Sequence, residues 1–245
     1  MTLDPRSGPK VGVLVPYTNV NLEPDMILMA PPGVTFHFER MGGYDVDEIP
    51  GADQMAGLGA SDISETLRLI VGVRPKAVLY GCTSATLTHG PAFDRDLAAQ
   101  IGESAGAVSI TAAGALVAGI KRLGAQRVGF ASPYLGEIND QAIAFLSSQG
   151  IETAARADIG RALGNYGQGE LTPDEVYALA LRADGPDVDA IVLSCTDMRA
   201  VEVIARLEAT LGKPVVTSNQ AMMAELCEAL LLTPPAGFGR LLDVA

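Results

Sequence analysis

Two short apolar runs end in the same way, and this repeated ending is the strongest constraint on the fold. The runs are Ala77-Val-Leu-Tyr-Gly-Cys82-Thr-Ser and Ala190-Ile-Val-Leu-Ser-Cys195-Thr-Asp. An apolar run that stops abruptly at small polar residues is typical of a buried strand that opens into a loop. The cysteines lie 113 positions apart in a chain of 245 residues. This spacing predicts one structural unit present twice, with two thiols at a shared site.

The wider pattern of the chain agrees with a duplication. Strand-like and helix-like segments alternate, which predicts parallel sheets with helices on both faces. Residues 11–16 correspond to residues 128–133, and residues 108–111 correspond to residues 215–218. We therefore predict an α/β protein of two pseudo-symmetric, parallel-sheet subdomains (Rossmann-like, flavodoxin-like) with the active site between them. The first subdomain is expected to comprise residues 8–112 plus 219–245 and the second residues 113–218, because the C-terminal helix should cross back.

Local signals give further expectations. Periodicity predicts one long helix over residues 53–71, a loop directly after Cys82 and another loop over residues 159–169. The Gly- and Asp-rich residues 41–52 are expected to form a mobile loop over a site. Thr172-Pro-Asp-Glu175 is a capping box with proline at the first helical position, which predicts a helix start.

Charge and cysteine content exclude several classes of function. The net charge is −12, and no run of Lys or Arg occurs, so neither nucleic acid nor an anionic membrane is expected as a partner. The N-terminus has no apolar core of a secretory signal, and no apolar stretch has the length of a membrane span. Three cysteines are too few and too far apart for a disulfide framework. We expect a cytoplasmic enzyme with reduced thiols.

Cys82 and Cys195 are the candidate catalytic residues. Free cysteines are often small buried hydrophobes, and a duplication could have copied such a core residue. Both, however, lie at the exit of a strand, followed by Thr and then Ser84 or Asp197, where backbone N–H groups could bind an anion. This placement favours a paired-thiol site. Cys227 lies in an apolar helical stretch and is expected to be structural.

Other polar residues are candidates for binding. Asn19 and Tyr134 each follow the proline that ends the first strand of a unit. Alone they could be a turn-forming Asn and a half-buried Tyr, but their matching loops favour carboxylate binding. Asn165 by itself is a turn candidate, and His89 is more readily a loop or helix-start residue than a proton carrier. No residue spacing suggests zinc or a nucleotide, so we predict neither a metal nor a cofactor.

Two facing thiols permit a small set of reactions. One thiol could remove a proton from a carbon while the other delivers one to the opposite face, which racemises the carbon. Alternatively, one thiolate could add to an activated double bond while the other manages the proton, which allows cis–trans isomerisation. A single cysteine could protonate a carbanion after decarboxylation.

Five motifs of the chain are informative together: Val15-Pro-Tyr-Thr-Asn19 with Glu23, Gly81-Cys-Thr-Ser, Ser132-Pro-Tyr134, Leu193-Ser-Cys195 and Gly237-Phe-Gly-Arg-Leu241. With them the chain resembles the aspartate/glutamate racemase superfamily, most closely its maleate isomerase and arylmalonate decarboxylase branch. The resemblance covers nearly the whole chain. It implies that Asn19, Tyr134 and Asn165 occupy the substrate-binding positions of maleate isomerases. Arylmalonate decarboxylases have Gly at the first cysteine position, so the presence of Cys82 disfavours decarboxylation.

Two departures from maleate isomerases follow the cysteines. Those enzymes tend to have bulky apolar residues after the first cysteine, where this chain has Thr83 and Ser84. After the second cysteine, Thr196 and Asp197 are nearer to the pattern of racemases. A subgroup that includes proteins encoded beside ectoine-degradation genes is similar in these respects. The resemblance therefore implies the fold and the paired-thiol chemistry more closely than it implies the substrate.

Our hypothesis is a cofactor-independent isomerase of a small carboxylate, most specifically of a maleate-type cis-enedioate. Cys82 would be the nucleophile, and Cys195 would supply and recover the proton. The remaining candidate substrate-binding residues are Asn19, Tyr134, Asn165 and the backbone of Thr83, Ser84, Thr196 and Asp197. The alternatives are a two-base racemase of an amino acid or its derivative (including an ectoine-utilisation-type protein), a decarboxylase or a small-acid-binding protein. A homo-oligomer is expected, since this branch includes dimers and larger assemblies.

Overall fold

The computed structural model describes residues 7–42 and 51–244, and these form two four-stranded parallel sheets. Each sheet has the same strand order, with its first strand in the second position, and all paired strands run parallel. The first sheet has the order β2-β1-β3-β4 and contains β1 (Lys10–Pro16), β2 (Thr35–Met41), β3 (Ala77–Tyr80) and β4 (Val108–Thr111). The second sheet has the order β6-β5-β7-β8 and contains β5 (Arg127–Ser132), β6 (Glu152–Asp158), β7 (Ala190–Leu193) and β8 (Val215–Thr217). The predicted α/β fold class is confirmed.

Helices connect the strands and cover the sheets. Those of the first half are α1 (Leu22–Leu28), α2 (Ala52–Gly59), α3 (Ser64–Val71), α4 (Thr83–Leu87), α5 (Gly90–Ala105) and α6 (Ala112–Arg122). Those of the second half are α7 (Gly136–Ser148), α8 (Gly167–Glu170), α9 (Pro173–Arg182), a 3-10 turn (Val201–Val203), α10 (Ile204–Leu211), α11 (Ser218–Ala229) and α12 (Arg240–Asp243). No helix in the described part of the chain is long and apolar enough to cross a membrane.

The apolar sequences of the central strands match their buried positions. The four residues of β3 and the four of β7 are all buried, as expected for central strands of a parallel sheet covered on both faces. The last strands of the two sheets also end alike. The Thr111 hydroxyl accepts a hydrogen bond from the N–H of Gly114 (3.0 Å), and the Thr217 hydroxyl accepts one from the N–H of Gln220 (3.1 Å). The same N-cap thus starts the helix after each sheet.

These two helices join the halves of the molecule. Helix α6 leaves β4 and packs against α11 and β8, whereas α11 leaves β8 and packs against α6, β4 and α1. Gly119 permits the close approach, because a Cβ there would lie 3.3 Å from Cγ1 of Val216 and 3.5 Å from Cβ of Ala221. One apolar core therefore includes residues of both sheets. The division into residues 8–112 plus 219–245 and residues 113–218 stays a prediction.

Several local predictions differ from the structure. Residues 53–71 form two helices rather than one, because α2 stops at Gly59 and the carboxylate of Asp62 starts α3 by accepting a hydrogen bond from Ser64 N (2.9 Å). Gly59 lies against the segment after Cys82, where a Cβ would be 2.5 Å from a backbone carbonyl oxygen. That segment is helix α4 rather than a loop, and the predicted loop over residues 159–169 ends in α8.

Two other local predictions have different outcomes. The capping box at the start of α9 is confirmed, since Thr172 and Glu175 each bond the backbone N–H of the other, at 3.3 and 2.9 Å. Of the expected mobile loop over residues 41–52, residues 43–50 lie outside the described residues, while Met41 ends β2 and Ala52 begins α2.

Candidate active site

A cleft lies between the two halves, at the carboxyl ends of β1, β3, β5 and β7. This is the end of a parallel sheet at which ligands generally bind. The lining residues are Pro16, Thr18, Asn19, Met55, Leu58, Cys82, Tyr134, Asn165, Gln168, Cys195, Thr196 and Asp197. The cleft thus brings together seven of the nine site residues predicted from the sequence; Thr83 and Ser84 lie behind it.

Cys82 is held at the start of α4. Its backbone is extended, and its sulfur receives hydrogen bonds from the backbone N–H groups of Ser84 and Ala85. The hydroxyl of Ser84 lies 3.7 Å from the sulfur. Burial raises the pKa of the Cys82 thiol, and these donors act in the opposite direction because they stabilise the thiolate.

Cys195 is held more firmly in its protonated form. Burial, and after it the negative charge of Asp197, raise the pKa of Cys195 to about 12. The N–H of Asp197 (3.4 Å) and the hydroxyl of Tyr134 (3.7 Å) approach the sulfur and partly oppose this. The two thiols are therefore chemically different. Cys82 has more hydrogen-bond donors to support a negative charge, whereas Cys195 is suited to hold and deliver a proton.

Tyr134 connects the surroundings of the two thiols. Its hydroxyl lies 3.7 Å from the sulfur of Cys195 and accepts a hydrogen bond of 3.3 Å from the hydroxyl of Ser84. Burial raises the pKa of Tyr134 well above its usual value, so the phenol is neutral. The ring is kept in place through its backbone, whose N–H donates to Ser132 and whose carbonyl accepts from Asn139. A neutral hydroxyl fixed between two thiols can stabilise a developing oxyanion.

Asn19 and Thr196 bond the two halves together beside the thiols. The Asn19 side-chain amide donates to the Thr196 hydroxyl (3.0 Å), which in turn donates to the carbonyl of Gly81 (2.8 Å). The Asn19 carbonyl oxygen accepts from the backbone N–H groups of Asn21 (3.1 Å) and Leu22 (2.9 Å). An amide group carries two N–H bonds, so within the described residues one N–H of Asn19 remains for a ligand.

Asp197 supports the same loop from the other half. Its carboxylate accepts hydrogen bonds from the backbone N–H groups of Val20 (2.8 Å) and Asn21 (3.1 Å). Burial raises the pKa of Asp197 to about 6, while these hydrogen bonds and the charge of Arg40 act in the opposite direction. The guanidinium of Arg40 donates to the carbonyls of Pro16 and Asn19. Side chains on both sides thus hold the loop of residues 16–21.

Of the other residues considered in the sequence analysis, one lines the cleft and three lie outside it. Asn165 is buried in the cleft wall. The hydroxyl of Thr83 donates to that of Ser218 (2.8 Å) on α11, so this side chain supports the scaffold. His89 does not line the cleft: its Nε2 lies 2.8 Å from a backbone carbonyl of α2, and its ring stacks on Phe93. Cys227 is fully buried in the apolar core, as expected for a structural residue.

Sequence reasoning missed some residues of the site. Met55 and Leu58 line the cleft from α2, and their spacing of three is a helical signal that could have indicated a shared face. Gln168 lines the cleft from α8, inside a Gly-rich stretch that carried no such signal. Asn219 supports the site indirectly, because its amide donates to the carbonyl of Thr196 (2.9 Å) and to the carboxylate of Asp25 (2.7 Å).

The described residues contain no group of three or more His, Cys, Asp or Glu side chains arranged to hold a metal ion. All three cysteines of the chain lie in the described part and are free. The polar groups that face the cleft are amides, hydroxyls, thiols and one carboxylate. Such groups suit an organic ligand that is bound by hydrogen bonds.

Comparisons with known proteins agree with this arrangement. Residues 11–242 match the family model described as arylmalonate decarboxylase. The chain is 28% identical to a maleate isomerase of Nocardia farcinica, with 95% of each chain covered, and 28% identical to an arylmalonate decarboxylase of Bordetella bronchiseptica, with 87% of this chain and 84% of that one covered.

A solved structure extends the comparison to the site. The fold matches that of an N. farcinica maleate cis-trans isomerase with a TM-score of 0.87, at 26% identity and with 96% and 98% of the two chains covered. That structure is of a cysteine-to-serine variant with a covalently bound succinylcysteine intermediate.

Proposed function

The chain belongs to the arylmalonate decarboxylase family, and from this premise we propose that it is a cofactor-independent cis–trans isomerase of a maleate-type cis-enedioate. The observation that carries the proposal is that Cys82 and Cys195 line the same cleft. A decarboxylase of the kind described above needs only the second cysteine. Two thiols with different surroundings favour a reaction in which one is a nucleophile and the other a proton carrier.

Cys82 acts as the nucleophile. Its thiolate adds to one alkene carbon of maleate and forms a C–S bond, and the π electrons move into the carboxylate on the neighbouring carbon. Cys195 then donates its S–H proton to that neighbouring carbon and becomes a thiolate. The former double bond is now a single bond and rotates. Cys195 takes a proton back from the same carbon, the C–S bond breaks, and fumarate leaves with Cys82 again a thiolate.

The surroundings of each sulfur match these roles. Cys195 keeps its proton at neutral pH because its pKa is raised to about 12, and proton donation requires that form. Cys82 has backbone N–H donors from Ser84 and Ala85, which stabilise the thiolate and compete with burial. Burial keeps most of Cys82 protonated as well, so only a minor thiolate fraction starts the reaction.

The substrate carboxylates are held by neutral donors. We assign the free N–H of Asn19, the amide of Asn165 and the hydroxyl of Tyr134 to this role. The backbone N–H groups of Thr83 and Thr196 are assigned to the same role. The sequence also predicts this role for the backbone of Ser84 and Asp197, but their N–H groups bond to the sulfurs of Cys82 and Cys195. The enediolate that forms during addition carries extra negative charge on oxygen, and fixed donors in a site shielded from water stabilise it more than the substrate.

A direct assay tests the proposal. Purified protein should consume maleate and produce fumarate without added cofactor or metal, as followed by chromatography or NMR. Cys82→Ser and Cys195→Ser should each abolish turnover, while Cys227→Ser should retain it. The racemase alternative predicts deuterium exchange at the α-carbon of an amino acid instead. Absence of fumarate after prolonged incubation, or unchanged activity in both active-site variants, would reject the isomerase.

The proposal also includes a cytoplasmic location and a homo-oligomeric state. Three free cysteines are typical of a protein that functions in a reducing compartment. The apolar side chains of Val20, Ile27 and Leu28 are exposed next to the cleft loop, where a second subunit could cover them. Light scattering after gel filtration measures the assembly directly, and a monomer at assay concentration would reject this part.

A further inference from the structure

Gln168 is a buried polar side chain that faces the cleft. Only 7% of the residue is exposed, and it lines the cleft together with Cys82 and Cys195. Within the described residues its side-chain amide makes no hydrogen bond, although it carries two N–H donors and a carbonyl acceptor. Its amide oxygen and nitrogen are not among the side-chain atoms that are closed to solvent without a partner, so they open into the cleft. The amide is therefore placed to bond a ligand in the cleft.

The backbone that carries Gln168 is fixed against the catalytic segment. The carbonyl of the next residue, Gly169, accepts a hydrogen bond of 3.1 Å from the side chain of Asn21. Gly169 also lies directly against Asp197, since a Cβ at this position would be 2.9 Å from a carboxylate oxygen. Leu171, at the end of α8, is fully buried. Gln168 is thus held in place on an anchored turn, as a recognition residue needs to be.

The charge of the cleft indicates which ligand groups it suits. Its described lining includes the carboxylate of Asp197 but no Lys, Arg or His side chain. The nearby guanidinium of Arg40 bonds to backbone carbonyls of the loop and to the carboxylate of Glu23. A ligand with two carboxylates therefore brings two negative charges into a cleft that offers only neutral donors and already contains the carboxylate of Asp197. Desolvation of the charges and their repulsion by Asp197 oppose binding, and a ligand with one carboxylate and one carboxamide brings only one such charge.

We propose that Gln168 is a specificity-determining residue that binds the second carbonyl-bearing end of the substrate, and that the substrates include half-amides of cis-enedioic acids as well as the diacids. This inference rests on the proposed function and extends it. A glutamine side chain matches a carboxamide in both directions: its N–H donates to the ligand carbonyl, and its carbonyl accepts from the ligand N–H. Toward a carboxylate it can only donate, and its carbonyl oxygen is left without a partner.

Binding to a non-reacting background tests the proposal. In Cys82→Ser, isothermal calorimetry measures the dissociation constants of maleate and of its half-amide, maleamate. Adding Gln168→Leu should raise both dissociation constants by about tenfold or more, which is the usual effect of losing a hydrogen bond to a charged or polar ligand group. Adding Gln168→Glu should raise the dissociation constant of maleate by at least about tenfold more than that of maleamate. The new carboxylate repels the dianion but still accepts a hydrogen bond from the amide N–H of maleamate.

Matched controls separate this effect from a general change in charge or stability. Gln100 is exposed on α5, away from the cleft, and Gln100→Leu and Gln100→Glu should leave both dissociation constants unchanged. Circular dichroism confirms that each variant is folded. If the two Gln168 variants bind both probes like the parent, or if Gln168→Glu weakens both equally, the role of Gln168 is refuted while the isomerase stands. If Cys82→Ser binds maleate but not maleamate, the half-amide proposal is refuted while the isomerase stands. The isomerase itself fails if the native protein makes no fumarate from maleate.

Discussion

Replacing Asp197 by Asn should stabilise the protein at neutral pH but not at low pH. Only 7% of Asp197 is exposed, and burial raises its pKa from 3.8 to about 6 despite hydrogen bonds from Val20 and Asn21. A carboxyl group with a higher pKa in the folded state than in the unfolded chain destabilises the fold once it ionises. Asn keeps an acceptor oxygen for the same N–H groups and never ionises.

The size of the effect follows from the pKa. A carboxyl whose pKa rises from 3.8 to about 6 ionises in the folded protein at a cost about 3 kcal/mol greater than in the unfolded chain. Below about pH 4 the group is protonated in both states, and this cost is absent. Between about pH 4 and pH 6 the cost develops, and above about pH 6 it is complete. The variant should therefore gain about 3 kcal/mol over the native protein between these limits.

Two measurements check this prediction. Urea unfolding at about pH 4 and at about pH 7.5 gives the free energy of unfolding of both proteins, and only the change with pH in their difference matters. A constant difference between amide and protonated carboxyl cancels in this comparison. Secondly, removing the charge of Asp197 should lower the pKa of Cys195 and increase its alkylation rate by iodoacetamide at alkaline pH.

A difference in unfolding free energy that stays the same at both pH values would contradict the raised pKa of Asp197. It would mean that Asp197 ionises as easily in the folded protein as in the unfolded chain. An unchanged alkylation rate of Cys195 would separately show that the carboxylate does not contribute to holding its proton. Asp25→Asn provides a comparison away from the sulfur of Cys195. Burial also raises the pKa of Asp25, to about 7, so this variant should likewise be stabilised at neutral pH relative to low pH.

Three further predictions concern the thiols, the hydroxyl between them and the packing of the second sheet. Iodoacetamide should alkylate Cys82 faster than Cys195 at about pH 8, as measured by peptide mass spectrometry, and equal rates would contradict the difference in their surroundings. Tyr134→Phe should lower kcat for maleate by on the order of a hundredfold with a smaller change in KM, whereas a change in KM alone would assign the hydroxyl to ground-state binding. Gly129→Ala should destabilise the protein by about 2 kcal/mol or more in urea unfolding, because its Cβ would lie 2.0 Å from a backbone carbonyl oxygen. Gly57→Ala should not destabilise it, because no described atom outside its own stretch of helix lies within 4 Å of the new Cβ.

The sequence predicted the architecture because the relevant signals are local and repeated. Buried central strands of a parallel sheet are continuous apolar runs, and the runs before Cys82 and Cys195 could be recognised without knowledge of their partners. Once the duplication was clear, equivalent strand ends had to meet at one edge of the molecule. The thiols, Asn19 and Tyr134 follow from that placement.

The parts that the sequence did not predict depend on contacts between distant segments. The break between α2 and α3 occurs where Gly59 lies against the segment after Cys82, a contact that periodicity does not reveal. The direction of the Thr83 side chain depends on Ser218, which is far along the chain. Gln168 faces the cleft because Gly169 packs against Asp197, and no local pattern encodes that approach.

Detection of a covalent intermediate on Cys82 tests the paired-thiol mechanism directly. The Cys195→Ser variant is incubated with maleate, digested, and its peptides that contain position 82, 195 or 227 are analysed by mass spectrometry. Because this variant lacks the Cys195 thiol, solvent supplies the proton that completes the adduct, and no thiol takes it back. We therefore predict that a succinyl group accumulates on Cys82 and on neither the introduced serine nor Cys227. Absence of this adduct, together with undiminished conversion of maleate by Cys82→Ser, would contradict the paired-thiol mechanism.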